Sequence, residues 1–195
     1  MMNYPNFKQK DPKWAKDKIG QTNLTMDRWG CAVACLADLC QFYGKDTTPV
    51  DLARKLMFTK KAEVYWSSLS ELYPDILFRK YTQCLTTPAP IKYIDEKLTA
   101  GIPLIVETRI NKKERLPHFV ILWKKVYGLY IISDPLTDAY DFEKQYGKPA
   151  RWIYKIAYYE GKKQNRVKEL FEYLTNIIEN AQRALKLTEQ YNGNY

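Results

Sequence analysis

Apolar positions crowd most faces of residues 29–43, where Cys31, Ala34, Leu36, Ala37, Leu39, Cys40 and Phe42 predict a buried central helix closed by Gly44. Thr47-Thr48-Pro49-Val50-Asp51-Leu52-Ala53 then reads as a helix start. Thr48 suits the N-cap, Pro49 the first helical position and Asp51 the third, as in a capping box, which predicts a helix ending near Met57. A short helix is predicted over 67–73, a strand over 78–81 and a loop around Pro88 and Pro90. Ile91, Ile94 and Leu98 share one face of a further helix over 91–100, ended by Gly101.

Beyond that point the pattern changes period. Residues 103–108, 118–123 and 129–133 are short β-branched and aromatic runs, and 151–158 reads as a last strand. Gly128 turns the second of these into the third as an antiparallel hairpin. Helices followed by strands describe an α+β domain. Residues 3–25 are polar, hold Pro5, Pro12 and Gly20, and predict an irregular arm anchored by Phe7 and Trp14.

After Gly161 a separate pattern begins. Val167, Leu170, Phe171, Leu174, Ile177, Ile178, Ala181, Ala184 and Leu185 recur at helical spacing, predicting an amphipathic helix. The division is therefore 1–160 for the main domain and 161–195 for a helix with a polar tail. Residues 165–187 either dock on their own domain or pair with another subunit or protein.

Composition narrows the class. The chain carries 31 basic and 22 acidic residues, a net charge of +9 that suits anionic partners. No RNP motif, zinc finger or helix-turn-helix signature accompanies that charge, so it does not make a nucleic-acid binder. No run reaches the roughly 20 apolar residues of a membrane-spanning helix. The N-terminus lacks the apolar stretch of a signal peptide, which predicts a soluble chain made in the cytoplasm. Cys31, Cys35, Cys40 and Cys84 form neither a disulfide framework nor a Cys-x-x-Cys pair, and with a single histidine they give no zinc site.

Two of these residues carry chemistry together. Cys31 follows Trp29-Gly30 at the start of the apolar helix, where unpaired backbone N–H groups and the helix dipole favour a thiolate. Cys35 and Cys40 lie deeper and read as small core residues. His118, the only imidazole, opens a strand just after Pro117. Taken singly, the thiol and the imidazole each have an ordinary structural reading. The hairpin, however, sets the start of the His118 strand beside the end of the next, at Ser133-Asp134-Pro135. Asp134 can then orient the ring of His118 as base for Cys31. The Cys31 N–H supplies one oxyanion donor, and Gln9 or Gln21 from the arm could supply another.

The motifs also stand in the order of a known family. The chain resembles the C39-like peptidases, a papain-like group with bacterial and phage members. Gln9-Lys10-Asp11-Pro12-Lys13-Trp14 is similar to the family's Gln-x-Asp-x-x-Trp opening, and Trp29-Gly30-Cys31 to its Gly-Cys element. Thr48-Pro49-Val50-Asp51-Leu52-Ala53 resembles its Thr-Pro-x-x-Leu-Ala helix, and Gly101-Ile102-Pro103 the Gly-x-Pro step before a strand. His118-Phe119-Val120 and Ser133-Asp134-Pro135 resemble its His strand and Asp-Pro elements. The resemblance covers about residues 7 to 160. It implies a papain-like cysteine peptidase fold, with N-terminal helices packed on an antiparallel sheet. It also implies Cys31, His118 and Asp134 as the triad and Gln9, inside the matching motif, as the oxyanion donor. One departure is Ala32-Val33-Ala34, where the family usually has Gly-Pro-Thr after its cysteine; it falls on the pocket wall, not on the catalytic atoms.

The expected function is thiol-dependent amide hydrolysis without metal or cofactor, on a peptide, protein or peptidoglycan substrate. The positive charge suits an anionic cell wall, and the missing signal peptide suits a phage protein carried in a virion or released by lysis. The rival reading is a virion or tail component that keeps the fold and assembles through its C-terminal helix.

Overall fold

The computed structural model describes residues 4–110 and 116–161 of the chain. At its centre lies helix α2 (Cys31–Phe42), preceded by the single turn α1 (Met26–Trp29). Residues 33–40 of α2 are all buried, as its apolar run predicts. The expected continuous helix over 29–43 is instead broken at Gly30. A Cβ there would sit 2.5 Å from the Met26 carbonyl oxygen and 2.6 Å from its Cε, so the junction requires glycine for close approach. Gly44, at φ 79°, closes the helix where expected.

Helix α3 (Pro49–Lys55) has its capping box: Asp51 N–H donates to Thr48 Oγ1, and Thr48 N–H donates to the Asp51 carboxylate. It ends at Lys55 instead of near Met57. Helices α4 (Ser68–Leu72) and α5 (Ile91–Thr99) fall within their expected spans, and α5 buries Ile94 and Leu98.

The sheet comprises β1 (Ile76–Gln83), β2 (Leu104–Arg109), β3 (Pro117–Val126), β4 (Leu129–Ser133) and β5 (Lys155–Gly161). Their order is β1-β5-β2-β3-β4, and every neighbouring pair is antiparallel. Strands β3 and β4 form the expected hairpin. Its turn residues Tyr127 and Gly128 have φ 49° and 83°, the left-handed pair that a type I′ turn requires. Both faces of the sheet are covered. Ile105, Ile121, Trp123 and Tyr159 pack into one core with α2, whereas Leu104, Val106, Val120 and Leu122 join Ile94, Leu98 and Phe142 in a second. The strand alternation thus sorts two cores onto two faces.

Two elements differ from expectation between β4 and β5. Residues 151–158 do not form one strand: Arg151 and Trp152 belong to α7 (Pro149–Trp152), and β5 starts only at Lys155. Pro149 at the first helical position favours the turn. Helix α6 (Phe142–Tyr146) was not anticipated. Asp141 caps it by accepting from the Glu143 and Lys144 N–H groups, and Gly147 ends it at φ 102°.

The N-terminal arm is irregular but tethered. Trp14 is buried, with Phe7 edge-on to it at 5.6 Å. Gln9 N–H donates to the Pro135 carbonyl at 3.0 Å, Ser133 Oγ donates to the Pro5 carbonyl at 2.8 Å, and Phe7 N–H donates to Asp38 Oδ1 at 2.8 Å. Asp38 is fully buried in α2, and its Oδ2 has no hydrogen-bond partner among the described residues. Burial pushes its carboxyl well above the ordinary range of 3.8, despite the Phe7 N–H and the Lys8 charge. The folded state therefore holds a proton that the unfolded state releases, and Asp38 makes stability fall as pH rises above 3.8. Asp38→Asn should keep the tether and remove this contribution, so its urea stability relative to wild type should improve as pH rises above 3.8. Asp38→Ala strands the Phe7 N–H and should cost about 1–3 kcal/mol.

Residues 162–195, including the expected amphipathic helix over 165–187, lie outside the described residues. Among the described residues no helix is long and apolar enough to cross a membrane.

Candidate active site

The tight Gly30 junction sets Cys31 at the first position of α2. No side chain caps this helix end and no acidic residue occupies its first turn. Cys31 is partly exposed, whereas Cys35, Cys40 and Cys84 are buried, and all four thiols are free. Burial raises the buried three: Cys40 reaches about 12, and Cys35 is pushed well up, with the nearby Asp38 carboxylate adding to the effect. Cys31 is thus the accessible thiol among them.

Strand pairing brings His118 and Asp134 together. Ile121 pairs with Ser133 across the β3–β4 hairpin, which carries Asp134 just past the end of β4 toward the start of β3. His118 Nε2 lies 2.8 Å from Asp134 Oδ1. The remaining ring nitrogen, Nδ1, is not taken by Asp134, and the Cys31 thiol is close enough to act on the imidazole. Burial alone would push the imidazolium down, but its hydrogen bonds to Asp134 and Cys31 and the charges of both raise it from 6.5 to about 9. Burial likewise pushes Asp134 up, yet the His118 hydrogen bond and charge, Tyr146 and the Leu136 N–H together hold it at about 2. His118 is only 1% exposed, so the imidazole is enclosed.

The Asp134 carboxylate is itself held on both oxygens. Oδ1 also accepts the Leu136 N–H at 2.9 Å, and Oδ2 accepts the hydroxyls of Thr137 at 2.7 Å and Tyr146 at 2.5 Å. Lys8 Nζ donates to the Asp134 carbonyl at 2.9 Å, tying the arm to the same loop.

The two glutamines separate clearly. Gln9 is 2% exposed, and its Nε2 donates to the Asp27 carbonyl at 2.9 Å, in the turn just before Cys31. One N–H of that amide remains to be directed elsewhere. Gln21 is exposed and lines the rim of a cleft of about 1070 Å3 that also includes Cys31 and Ala32. Val33 and Ala34, by contrast, are core residues, so only Ala32 of the departing triplet reaches a pocket wall.

An accessible thiol at a helix start, a buried imidazole near it and a hydrogen-bonded carboxylate behind are the kinds of group from which a sulfur nucleophile can be activated. Residues 1–165 match the Peptidase_C39 like family. The chain belongs to this family. No curated protein sequence matches the chain. Among solved structures, the C39-like chain is similar to the peptidase domain of Streptococcus ComA, a bifunctional ABC transporter involved in quorum sensing. That likeness has 15% identity and a TM-score of 0.54, and covers 82% of this chain and 100% of that one. A C39-like peptidase from Bacillus anthracis is similar at 17% identity with a TM-score of 0.49, covering 83% of this chain and 96% of that one. The ComA likeness supports the fold.

Two partners of Asp134 in this C39-like chain escaped the sequence reading. Thr137 was legible in principle: Asp134-Pro135-Leu136-Thr137 is a turn signature in which the aspartate accepts the N–H two residues on. Tyr146 had no local signal, because only the fold of α6 returns it to Asp134.

Proposed function

We propose that the protein hydrolyses peptide amide bonds, with Cys31 as nucleophile, His118 as acid and base, Asp134 as the positioning carboxylate and Gln9 as an oxyanion donor. The observation that carries this reading is the buried His118–Asp134 pair, 2.8 Å apart, with the accessible Cys31 thiol close enough to act on the imidazole. Family membership and fold suggest cysteine peptidase activity in coarser terms.

The Cys31 thiolate attacks the carbonyl carbon, forming a C–S bond as the π electrons move onto oxygen. The Cys31 N–H and the second N–H of Gln9 Nε2 stabilise that oxyanion. Collapse breaks the C–N bond, and imidazolium Nδ1 delivers its proton to the leaving amine. Water then attacks the thioester, giving a proton to neutral His118, and expulsion of the thiolate releases the carboxylic acid.

The test is iodoacetamide treatment of the native protein, followed by mapping of the alkylated cysteine and assay on a peptide library. Alkylation of Cys31 in step with loss of cleavage is expected. Complete alkylation of Cys31 with cleavage unchanged would remove the sulfur from the mechanism.

A further inference from the structure

The cleft that opens beside Cys31 has a composition that bears on what enters it. Trp66, Tyr81 and Phe119 form a continuous aromatic wall: Trp66 lies 5.3 Å from Phe119 and 5.9 Å, nearly stacked, from Tyr81. Tyr65 and Trp29 line the cleft as well, each 51% exposed. Isolated exposed aromatics need no explanation, but rings gathered beside a reactive thiol offer faces on which a planar apolar group can stack.

The floor is charged and built. Glu107 is 1% exposed on β2, opposite Phe119 of β3. One carboxylate oxygen pairs with Arg109, and the other with Lys155 Nζ at 2.7 Å. Tyr81 lies close enough to act on the Lys155 ammonium, and both Lys155 and Glu107 line the cleft. A lysine ammonium has three donors, so even with Glu107 and Tyr81 both served one remains for a ligand. The single carboxylate already answers two cations, leaving the trio with a net positive charge. Glu63 lines the cleft too, but the lining holds three lysines, Lys60, Lys61 and Lys155, against the two carboxylates Glu63 and Glu107, so an incoming ammonium or guanidinium meets net positive charge. A neutral ring, above all one ending in a hydroxyl, meets aromatic faces and a free donor.

Resting on the proposed thiol hydrolysis, we infer that this cleft is a specificity subsite for an aromatic side chain of the peptide substrate, and that the Glu107–Lys155–Arg109 trio excludes basic side chains from it. The cleft is large enough for such a side chain with its flanking backbone. Lys155 acts here as the discriminating residue: without it, Glu107 would retain only Arg109 and could accept a substrate cation.

The experiment is a positional scan with hexapeptides carrying Tyr, Phe or Lys at each site in turn. Wild type should favour Tyr and Phe over Lys by at least tenfold in kcat/KM at one position. Lys155→Met should narrow that ratio at least fivefold, chiefly by faster cleavage of the Lys peptide. Tyr65→Ala, at an exposed site, should lower kcat/KM for the Tyr peptide several-fold more than for the Lys peptide. A wild-type scan without aromatic preference, or an unaltered ratio in Lys155→Met that melts normally, overturns the inference. Binding of the same peptides to Cys31→Ala by titration calorimetry separates the two readings. Tighter binding of the Tyr peptide without thiol-dependent cleavage supports the subsite and sinks the catalytic reading. Thiol-dependent cleavage with equal binding of Tyr and Lys peptides does the reverse.

Discussion

Cys31→Ala is expected to lower peptide hydrolysis by on the order of 10⁴-fold or more, because removal of the nucleophile leaves only binding and the oxyanion donors. The fold should barely register the change. Cys31 is partly exposed at the first position of α2, and alanine there is a good helix former that creates no enclosed cavity. The contrast is Cys35, one turn further on. It is completely buried and donates to the Phe119 carbonyl at 3.4 Å, so Cys35→Ala should cost stability and spare the chemistry. Thermal melts and steady-state hydrolysis on the two variants check both halves. Hydrolysis within tenfold of wild type in Cys31→Ala would exclude a thiol mechanism, since Cys35, Cys40 and Cys84 are all enclosed and raised by burial.

The parts of the fold legible in the sequence were those set by local physics. A capping box declares a helix start through its own side chains, and α3 begins where Thr48 and Asp51 require. A two-residue turn with a glycine fixes hairpin register, and that register carries Asp134 to His118. Short elements were misread where periodicity had too few residues to speak. Trp152, Ile153 and Ile156 look like strand positions in a row, yet Pro149 had already begun a helical turn. Helix α6 carried its signals, Asp141 before and Gly147 after, around only five residues.

The candidate site divides along the same line. Cys31, His118 and Asp134 sit at element ends that sequence patterns mark. Their partners from distant segments do not. Nothing around Lys8 announces that its ammonium will reach the Asp134 carbonyl, and nothing around Tyr146 announces its hydroxyl bond to Asp134. Glu107 was hidden inside an apolar strand pattern, and its pairing with Lys155 depends on β5 lying next to β2. The cleft is a tertiary property: residues 21–24, 59–66 and four strands meet only in the folded chain.

Asp134→Ala is expected to be the next most damaging change, lowering kcat/KM by about 10²- to 10⁴-fold, within the range that follows when an imidazole loses its orienting carboxylate. It also strands four donors, two of them buried: His118 Nε2–H and the Tyr146 hydroxyl, with the Leu136 N–H and the Thr137 hydroxyl part-buried. A simple loss of stability could therefore masquerade as a loss of chemistry, and Asp134→Asn separates the two. Asparagine Oδ1 can still accept from His118 and Leu136. Its amide nitrogen can donate to the Thr137 and Tyr146 hydroxyls, which need only rotate from donor to acceptor. Orientation survives and the negative charge goes. Because that charge and hydrogen bond help raise His118 to about 9, its removal lowers the imidazolium pKa and moves the basic limb of the kcat/KM profile to lower pH. Stability shifts in the same sense. His118, raised in the fold, stabilises fully below 6.5 and loses its contribution as pH climbs through about 9. Asp134, lowered in the fold, stabilises fully above 3.8 and loses its contribution as pH falls through about 2. The pair therefore contributes most between 3.8 and 6.5, where urea melts of Asp134→Asn should show the largest deficit against wild type. Tyr146→Phe, which keeps the carboxylate and removes one of its four donors, should move the limb in the opposite direction or not at all. An unmoved limb in a well-folded Asp134→Asn would mean that Asp134 supports the loop alone and leaves His118 to be positioned by its burial.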